Sequence, residues 1–213
     1  MQPETVVPKV QCIAKQGAES QNPLSWGWVE ASVWTERMLA ALGNGVKGGK
    51  WFSLIDKVYE RRTLEAAWKR VAANKGAAGI DRVSVKRFNA CKDLYLQELE
   101  KVLRKGQYRP EPVRRVYIPK GKGQSRPLGI PTVKDRVVQA ALKIVLEPIF
   151  EREFLPTSFG FRPGLGCKDA LRRVDYLLKK GYTWVVDADL KSYFDTIPHE
   201  QLLERIKEKV SDG

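Results

Sequence analysis

Residues 182–199 constrain the possible folds of this 213-residue chain more than any other stretch. They read Tyr-Thr-Trp-Val-Val-Asp-Ala-Asp-Leu-Lys-Ser-Tyr-Phe-Asp-Thr-Ile-Pro-His. The β-branched and aromatic residues from Thr183 to Val186, bounded upstream by Gly181, predict a short buried strand. Three carboxylates follow it at Asp187, Asp189 and Asp195. We therefore expect a strand that presents acidic side chains at its C-terminal end.

Two of these aspartates are candidates for a metal site. Asp187 and Asp189 are two residues apart, so they share one face of the sheet while the chain is extended. Their like charges repel unless a cation or a base lies between them, and carboxylate oxygens are the ligands that Mg²⁺ prefers. A simpler interpretation is that the aspartates begin a loop and cap the helix after Pro198. The motif by itself leaves both interpretations open.

Charge narrows the choice of partners. The net charge is +13 and the isoelectric point is near 9.7, which favours polyanions, either nucleic acid or an anionic membrane. The chain has no apolar run of about eighteen residues, so we expect no membrane span. Its N-terminus lacks the pattern of a secretory signal.

The three cysteines are far apart, which suits a reducing cytoplasm and favours neither a zinc site nor disulfides. The single histidine, His199, is predicted to begin a helix.

The remaining pattern predicts mostly helices. Residues 1–50 are expected to be disordered or weakly helical, with one helix within 26–42. Further helices are predicted at 51–74, where Thr63 could start a second one, at 84–105 up to Gly106, from a Thr132–Asp135 cap to Pro148, at 167–180 and at 200–210. In the 167–180 helix the inward residues are predicted to be Ala170, Leu171, Val174, Leu177 and Leu178.

The most basic segment lies between Lys101 and Lys134, with ten lysines and arginines against a single acid, Glu111. Strands are predicted at 113–119 and 126–131, joined by a glycine-bearing turn at 120–124. Such a hairpin is suited to phosphate groups, because arginine offers a bidentate fork and lysine a mobile point charge. The alternative is an exposed edge hairpin that its charges keep soluble.

Four blocks, taken in order, resemble the reverse transcriptase/maturase family encoded by bacterial group II introns. The first is Asn-Lys-Gly-Ala-Ala-Gly-Ile-Asp at 74–81, and the second is Arg-Arg-Val-Tyr-Ile-Pro-Lys with Arg-Pro-Leu-Gly-Ile-Pro within 114–131. The third is Ser-Phe-Gly-Phe-Arg-Pro-Gly at 158–164, and the fourth begins with Asp-Ala-Asp-Leu-Lys at 187. The resemblance extends from Trp51 to the end of the chain.

The resemblance implies a role for individual residues. Asp189 corresponds to the first catalytic aspartate, a Mg²⁺ ligand, and Leu190 would add its backbone carbonyl, whereas Asp187 would only support them. Phe194 corresponds to a steric gate against the 2′-hydroxyl of a ribonucleotide. The dNTP triphosphate would be held by Lys120 and Arg126, with Arg114 as a weaker candidate. The basic residues expected to contact RNA are Arg61, Arg62, Lys69, Arg70, Lys75, Arg115 and Lys122.

The implied fold is α+β: a helical N-terminal extension and an antiparallel fingers hairpin packed with helices over residues 51–181, then the start of a right-hand polymerase palm at 182–213. Arg82 stands where the family often has glycine. The family's second catalytic motif, aromatic-Ala-Asp-Asp, does not occur in the sequence. A lone strand at 183–186 would also have no ladder partner, which makes stable folding of 185–213 doubtful.

These features predict the N-terminal part of an RNA-directed DNA polymerase that is inactive by itself. The implied partners are group II intron RNA, an RNA template with a DNA primer, dNTP and a further C-terminal polypeptide. A non-catalytic RNA-binding module that assists splicing is the alternative. A carboxylate-metal nuclease is weaker, because the other acids show no second ligand cluster.

Overall fold

The computed structural model describes residues 26–121 and 123–212. In these ranges the chain forms eight α-helices and one antiparallel hairpin, so the predicted α+β class is confirmed. The elements are α1 (Glu36–Asn44), α2 (Leu54–Tyr59), α3 (Arg61–Ala73), α4 (Val85–Ala90), α5 (Lys92–Arg104), β1 (Arg114–Gly121), β2 (Gln124–Ile130), α6 (Val133–Glu151), α7 (Cys167–Lys179) and α8 (His199–Lys207). The predictions for residues 1–25 and for Lys122 lie outside the described residues.

Helix α6 is the centre of the core, and α3 packs along it. The contact is made by aliphatic side chains that are fully buried, among them Leu64 and Ala67 from α3 and Val137, Ala141 and Val145 from α6. Pro148 lies inside α6 without ending it. A proline has no N–H to bond the carbonyl four residues earlier, which here belongs to Ile144. The indole Nε1 of Trp34 donates to that carbonyl at 3.0 Å, so the orphaned acceptor is satisfied and the N-terminal segment is attached to α6.

The predicted start of α6 is confirmed. The Thr132 hydroxyl accepts a hydrogen bond from the backbone N–H of Asp135 at 3.1 Å and donates to its carboxylate at 2.6 Å. The phenol of Tyr108 donates to the other oxygen of the same carboxylate. Burial, followed by this hydrogen bond, raises the pKa of Tyr108 well above its ordinary value. Gly106 also ends α5 as predicted, with a φ of 65°.

Three predicted helices differ in their boundaries. The 26–42 stretch has a 3-10 turn at Trp26–Trp28 and becomes α-helical only at Glu36, after the Thr35 N-cap. The 51–74 stretch divides at Glu60 into α2 and α3. The predicted single helix at 84–105 divides at Cys91, whose φ of −118° and ψ of 27° are not helical. The sequence allowed for a second helix at Thr63, close to the observed start of α3 at Arg61, but it did not reveal the break at Cys91.

The largest corrections concern the C-terminal part. Residues 183–186 form no strand, and Trp184 and Val186 are 97 % and 94 % exposed, so the predicted buried strand is wrong. Apart from β1 and β2 the described chain has no strand for them to pair with. The inward face predicted for α7 is wrong as well, because Leu171 and Val174 are 67 % and 50 % exposed.

Several contacts attach the end of the described chain to the helical core, among them a hydrogen bond from the Ile55 N–H to the Asp212 carboxylate at 2.6 Å. The backbone N–H of Trp51 donates to the Lys209 carbonyl at 2.7 Å, and the N–H of Ser211 donates to the Trp51 carbonyl at 2.8 Å. The helix before it, α8, begins at His199 as the sequence predicts. None of the helices in the described ranges combines the length and the hydrophobicity that a bilayer span requires.

Candidate functional site

The aspartate motif forms an open depression at residues 188–195. Ser192 has a φ of 52°, which reverses the chain into a 3-10 turn at Tyr193–Asp195. The depression is lined by Ala188, Asp189, Leu190, Ser192, Tyr193, Phe194 and Asp195. The aromatic rings of Tyr193 and Phe194 meet edge to face, with their centroids 5.4 Å apart. The structure therefore places Asp189, Leu190 and Phe194, three of the predicted site residues, around one concavity.

The capping interpretation of the aspartates does not fit this geometry. The N-cap of α8 is Pro198, which offers no side-chain acceptor. Across residues 26–121 and 123–212 the carboxylates of Asp187 and Asp189 accept no protein hydrogen bond and form no ion pair. The same residues contain no group of three or more His, Cys, Asp or Glu side chains arranged to hold a metal ion. Asp189 thus presents one carboxylate to solvent, and the described part of the chain does not complete a divalent-metal site.

The hairpin presents its cations in a defined register. Arg126 pairs with Ile118 and Arg114 pairs with Ile130, so both arginines lie on one face of the sheet. Lys120 lies at the irregularity between Pro119 and Gly121. All three cations are exposed. Lys120 and Arg126 do not line the depression at Asp189, so the structure does not bring these two parts of the predicted site together.

The 74–81 block packs against the start of α6. A Cβ atom on Gly79 would lie 2.6 Å from the Thr132 Cα, so the close backbone approach requires glycine at this position. The Arg114 guanidinium donates to the Ala78 carbonyl at 3.0 Å, and Arg136 donates to the Ala77 carbonyl at 2.6 Å. Arg114 therefore connects the hairpin to this loop, a role that the sequence did not reveal.

Arg136 was missed by sequence reasoning, which interpreted α6 as core alone. Its guanidinium occupies the space beside Gly76, where any side chain would collide with it. Partial burial lowers its pKa from the ordinary value, while the nearby Asp81 acts in the opposite direction.

The positive φ of Arg82, 57°, is the backbone conformation that glycine adopts most easily. The departure from the family pattern at this position is thus accommodated within the turn.

The 158–164 block has a structural role, which its arginine, Arg162, performs. In the 158–164 block, the Arg162 guanidinium binds one oxygen of Glu151 at 2.7 and 2.9 Å and donates to the carbonyls of Leu155 and Ser158, both at 2.8 Å. The two charged side chains are only 10 % and 5 % exposed. This buried, hydrogen-bonded pair attaches the loop to the end of α6, since a buried charge is stable only when it is paired.

The basic residues predicted to contact RNA differ in how closely a carboxylate pairs with them. Arg61 bonds Glu65 at 2.9 Å and also Asp93, and Arg62 bonds Glu60 at 2.6 Å, so the charge of both is already countered. Lys69, Lys75 and Arg115 are exposed, and no carboxylate in the described chain pairs with them. Arg70 lies 3.7 Å from Glu30, a loose contact.

Comparison with known proteins decides the family. The family described as reverse transcriptase (RNA-dependent DNA polymerase) matches residues 118–211, from the hairpin past the aspartate motif. Similarity to the group II intron-encoded protein LtrA of Lactococcus lactis covers 68 % of this chain at 38 % identity. The chain belongs to the reverse transcriptases encoded by group II introns. Protein YkfC of Escherichia coli is 40 % identical over 75 % of this chain, and an uncharacterized 91 kDa protein in the cob intron of Schizosaccharomyces pombe is 42 % identical over 52 %.

The chain spans only part of the length of these relatives. The similarity covers 44 % of YkfC, 24 % of LtrA and 14 % of the S. pombe protein, so the chain corresponds to less than half of the length of each. Enzymes of this family act with a divalent metal ion and on nucleic acid. The exposed carboxylate of Asp189 and the exposed hairpin cations are consistent with that chemistry.

Proposed function

We propose that this chain forms the fingers and the beginning of the palm of an RNA-directed DNA polymerase that acts on group II intron RNA. The observation that carries the proposal is the extent of the family match, which runs without a break from Ile118 in the hairpin to Ser211 and includes Asp189. The matched region contains both the cationic hairpin and the carboxylate motif. A triphosphate substrate requires the first, and its metal ion requires the second.

Within this proposal each site residue has a defined task. Lys120 and Arg126 bind the triphosphate of the dNTP, because both are exposed and not part of the loop attachment made by Arg114. Asp189 and the carbonyl of Leu190 provide part of a Mg²⁺ site, and the aromatic ring of Phe194 beside them excludes a 2′-hydroxyl. Two-metal phosphoryl transfer requires further carboxylates, so we expect these 213 residues alone to extend no primer.

A chimaera tests the polymerase assignment. Residues 51–211 of this chain would replace the matching segment of a longer group II intron-encoded reverse transcriptase, and dNTP incorporation on an RNA template would be measured. We expect extension by the chimaera, its loss in Asp189→Ala with primer–template binding retained, and a raised KM for dNTP in Lys120→Ala and Arg126→Ala. Full extension by Asp189→Ala, or by the 213-residue chain alone, would contradict the proposal.

The second candidate function is RNA binding without catalysis, as in an accessory module for splicing. It is favoured by the net charge of +13 and by the incomplete metal site of the described residues. Binding of structured RNA by the purified chain should weaken steeply between about 50 and 500 mM salt, since phosphate contacts release counterions. The chimaera separates the two functions, because a binding module would support RNA binding without extension.

A further inference from the structure

A concave site lies between the C-terminal end of α3 and the middle of α6. It has a volume of about 330 Å³ and is lined by Arg70, Val71, Asn74, Arg136, Gln139, Ala140 and Lys143. Three of these residues are cations, two carry amides and none is acidic. Arg136, Gln139 and Lys143 follow one another at steps of three and four, so they occupy one face of α6. The site is separate from the hairpin cations that the sequence analysis identified.

Arg136 provides a fixed positive charge at this site. Its guanidinium donates to the carbonyls of Ala77 and Thr132, at 2.6 and 3.4 Å, and Gly76 leaves room for it. Within the described chain, none of the ion pairs of 4.0 Å or less includes Arg136. The hydrogen bonds of this partly buried cation go only to neutral carbonyls, and the nearby Asp81 acts on it without forming an ion pair, so its charge is only partly countered and an anion bound here would be stabilised.

The two flanking cations are available to a ligand. Arg70 lies 3.7 Å from Glu30 and Lys143 lies 3.3 Å from Glu147, while their side chains are 40 % and 60 % exposed. The Arg70–Glu30 contact is loose and reached by solvent, so Arg70 can turn towards an anion at small cost. Turning Lys143 away from Glu147, whose side chain is only 17 % exposed, costs more. Asn74 and Gln139 add neutral donors between them.

We propose that Arg70, Arg136 and Lys143 form a cleft that binds the phosphodiester backbone of RNA. The inference rests on the proposed function and adds a second RNA contact to it. Arginine forks and a lysine suit phosphate oxygens, and amide side chains commonly join them in backbone contacts. No aromatic residue lines the cleft, so it offers no aromatic platform for stacked bases, and its three cations favour contacts to phosphate over contacts to bases.

The test compares two double variants that lose the same charge. Arg70→Gln/Lys143→Gln alters the cleft and leaves the attachment of Arg136 to the loop intact. Arg172→Gln/Lys179→Gln on α7 is the control, since both its cations are also exposed and paired with carboxylates. Fluorescence anisotropy of a labelled structured RNA, measured with each full chain over a salt series, gives the affinity and its salt dependence.

We expect the cleft variant to bind about tenfold more weakly at low salt, with a log–log salt slope smaller by about 1 to 2, whereas the control keeps the wild-type slope. Equal losses in both variants, or no loss in either, would overturn the cleft proposal while wild-type binding upholds the proposed function. Failure of the wild-type chain to bind RNA would overturn both. If thermal unfolding shows that the double variant is not folded, Lys143→Gln alone provides the same comparison against Lys179→Gln.

Discussion

Helices α3 and α7 are each thirteen residues long and amphipathic, yet their apolar faces have different surroundings. Leu64 and Ala67 of α3 are completely buried against α6. Leu171 and Val174 of α7 are at least half exposed. The same contrast divides the molecule, because the core consists almost entirely of residues 26–150, and the segment after it exposes large apolar side chains. An apolar stripe in the sequence predicts an amphipathic helix, but the stripe is buried only where another surface packs against it.

Amide hydrogen exchange should show the largest difference between the two regions. The amides of α3 and α6 are hydrogen-bonded within a buried core, whereas residues 183–190 have neither a ladder nor burial. We expect exchange in the core to be slower by about three orders of magnitude or more, since it requires near-global opening. Mass spectrometry of the purified chain measures it. Strong protection of 183–190 would show that the segment is a paired strand in solution.

Truncation of one apolar side chain in each region should sharpen the contrast. Phe88 is fully buried and stacks on Trp68 with ring centroids 4.6 Å apart, so Phe88→Ala should lower the free energy of unfolding by about 3–5 kcal/mol. Leu171→Ala should change it by about 0.5 kcal/mol or less. Chemical denaturation provides both values. A large loss in Leu171→Ala would mean that α7 is covered in solution.

Two glycines allow a matched test of backbone packing. In Gly79→Ala the new methyl would meet the Thr132 backbone, and relief of that overlap should cost about 1–3 kcal/mol. A Cβ atom on Gly160 meets nothing within 4 Å, so Gly160→Ala should be nearly neutral. The difference in melting temperature between the variants reports the effect. Equal stability would indicate that the 74–81 loop is not held tightly against α6.

The smallest expected effect concerns two tyrosines. Burial and Asp135 raise the pKa of Tyr108, whereas the positive charges of Lys180 and Arg173, which both lie over its ring, lower the pKa of Tyr176 on α7. A raised folded-state pKa stabilises the fold below the unfolded value of about 10 and loses that contribution as the pH rises further. Tyr108→Phe should therefore cost about 1–2 kcal/mol near neutral pH and flatten the decline of stability above pH of about 10. An unchanged alkaline decline in denaturation curves of Tyr108→Phe would contradict the assignment, and Tyr176→Phe is the control.

Much of the candidate site followed from local sequence. Asp189, Leu190 and Phe194 lie within six residues, and a turn at Ser192 is enough to place them together. The hairpin followed from two β-rich runs around a glycine turn. Arg136 and the cleft beside it could not be predicted in this way, because they depend on contacts between residues about sixty positions apart. No local pattern distinguishes an arginine that faces a loop carbonyl from one that faces solvent.

The sequence alone determined the elements whose causes are local: the Thr132 cap of α6, the Gly106 end of α5, the hairpin, and the order of motifs that is typical of the reverse transcriptase family. The tertiary structure decided which apolar faces are buried and which arginines are bonded to carbonyls or carboxylates. It also left residues 183–186 without a paired strand. The reason is that caps and turns are satisfied by neighbours along the chain, whereas a strand, a buried face or a buried charge requires a partner that only the folded molecule can bring.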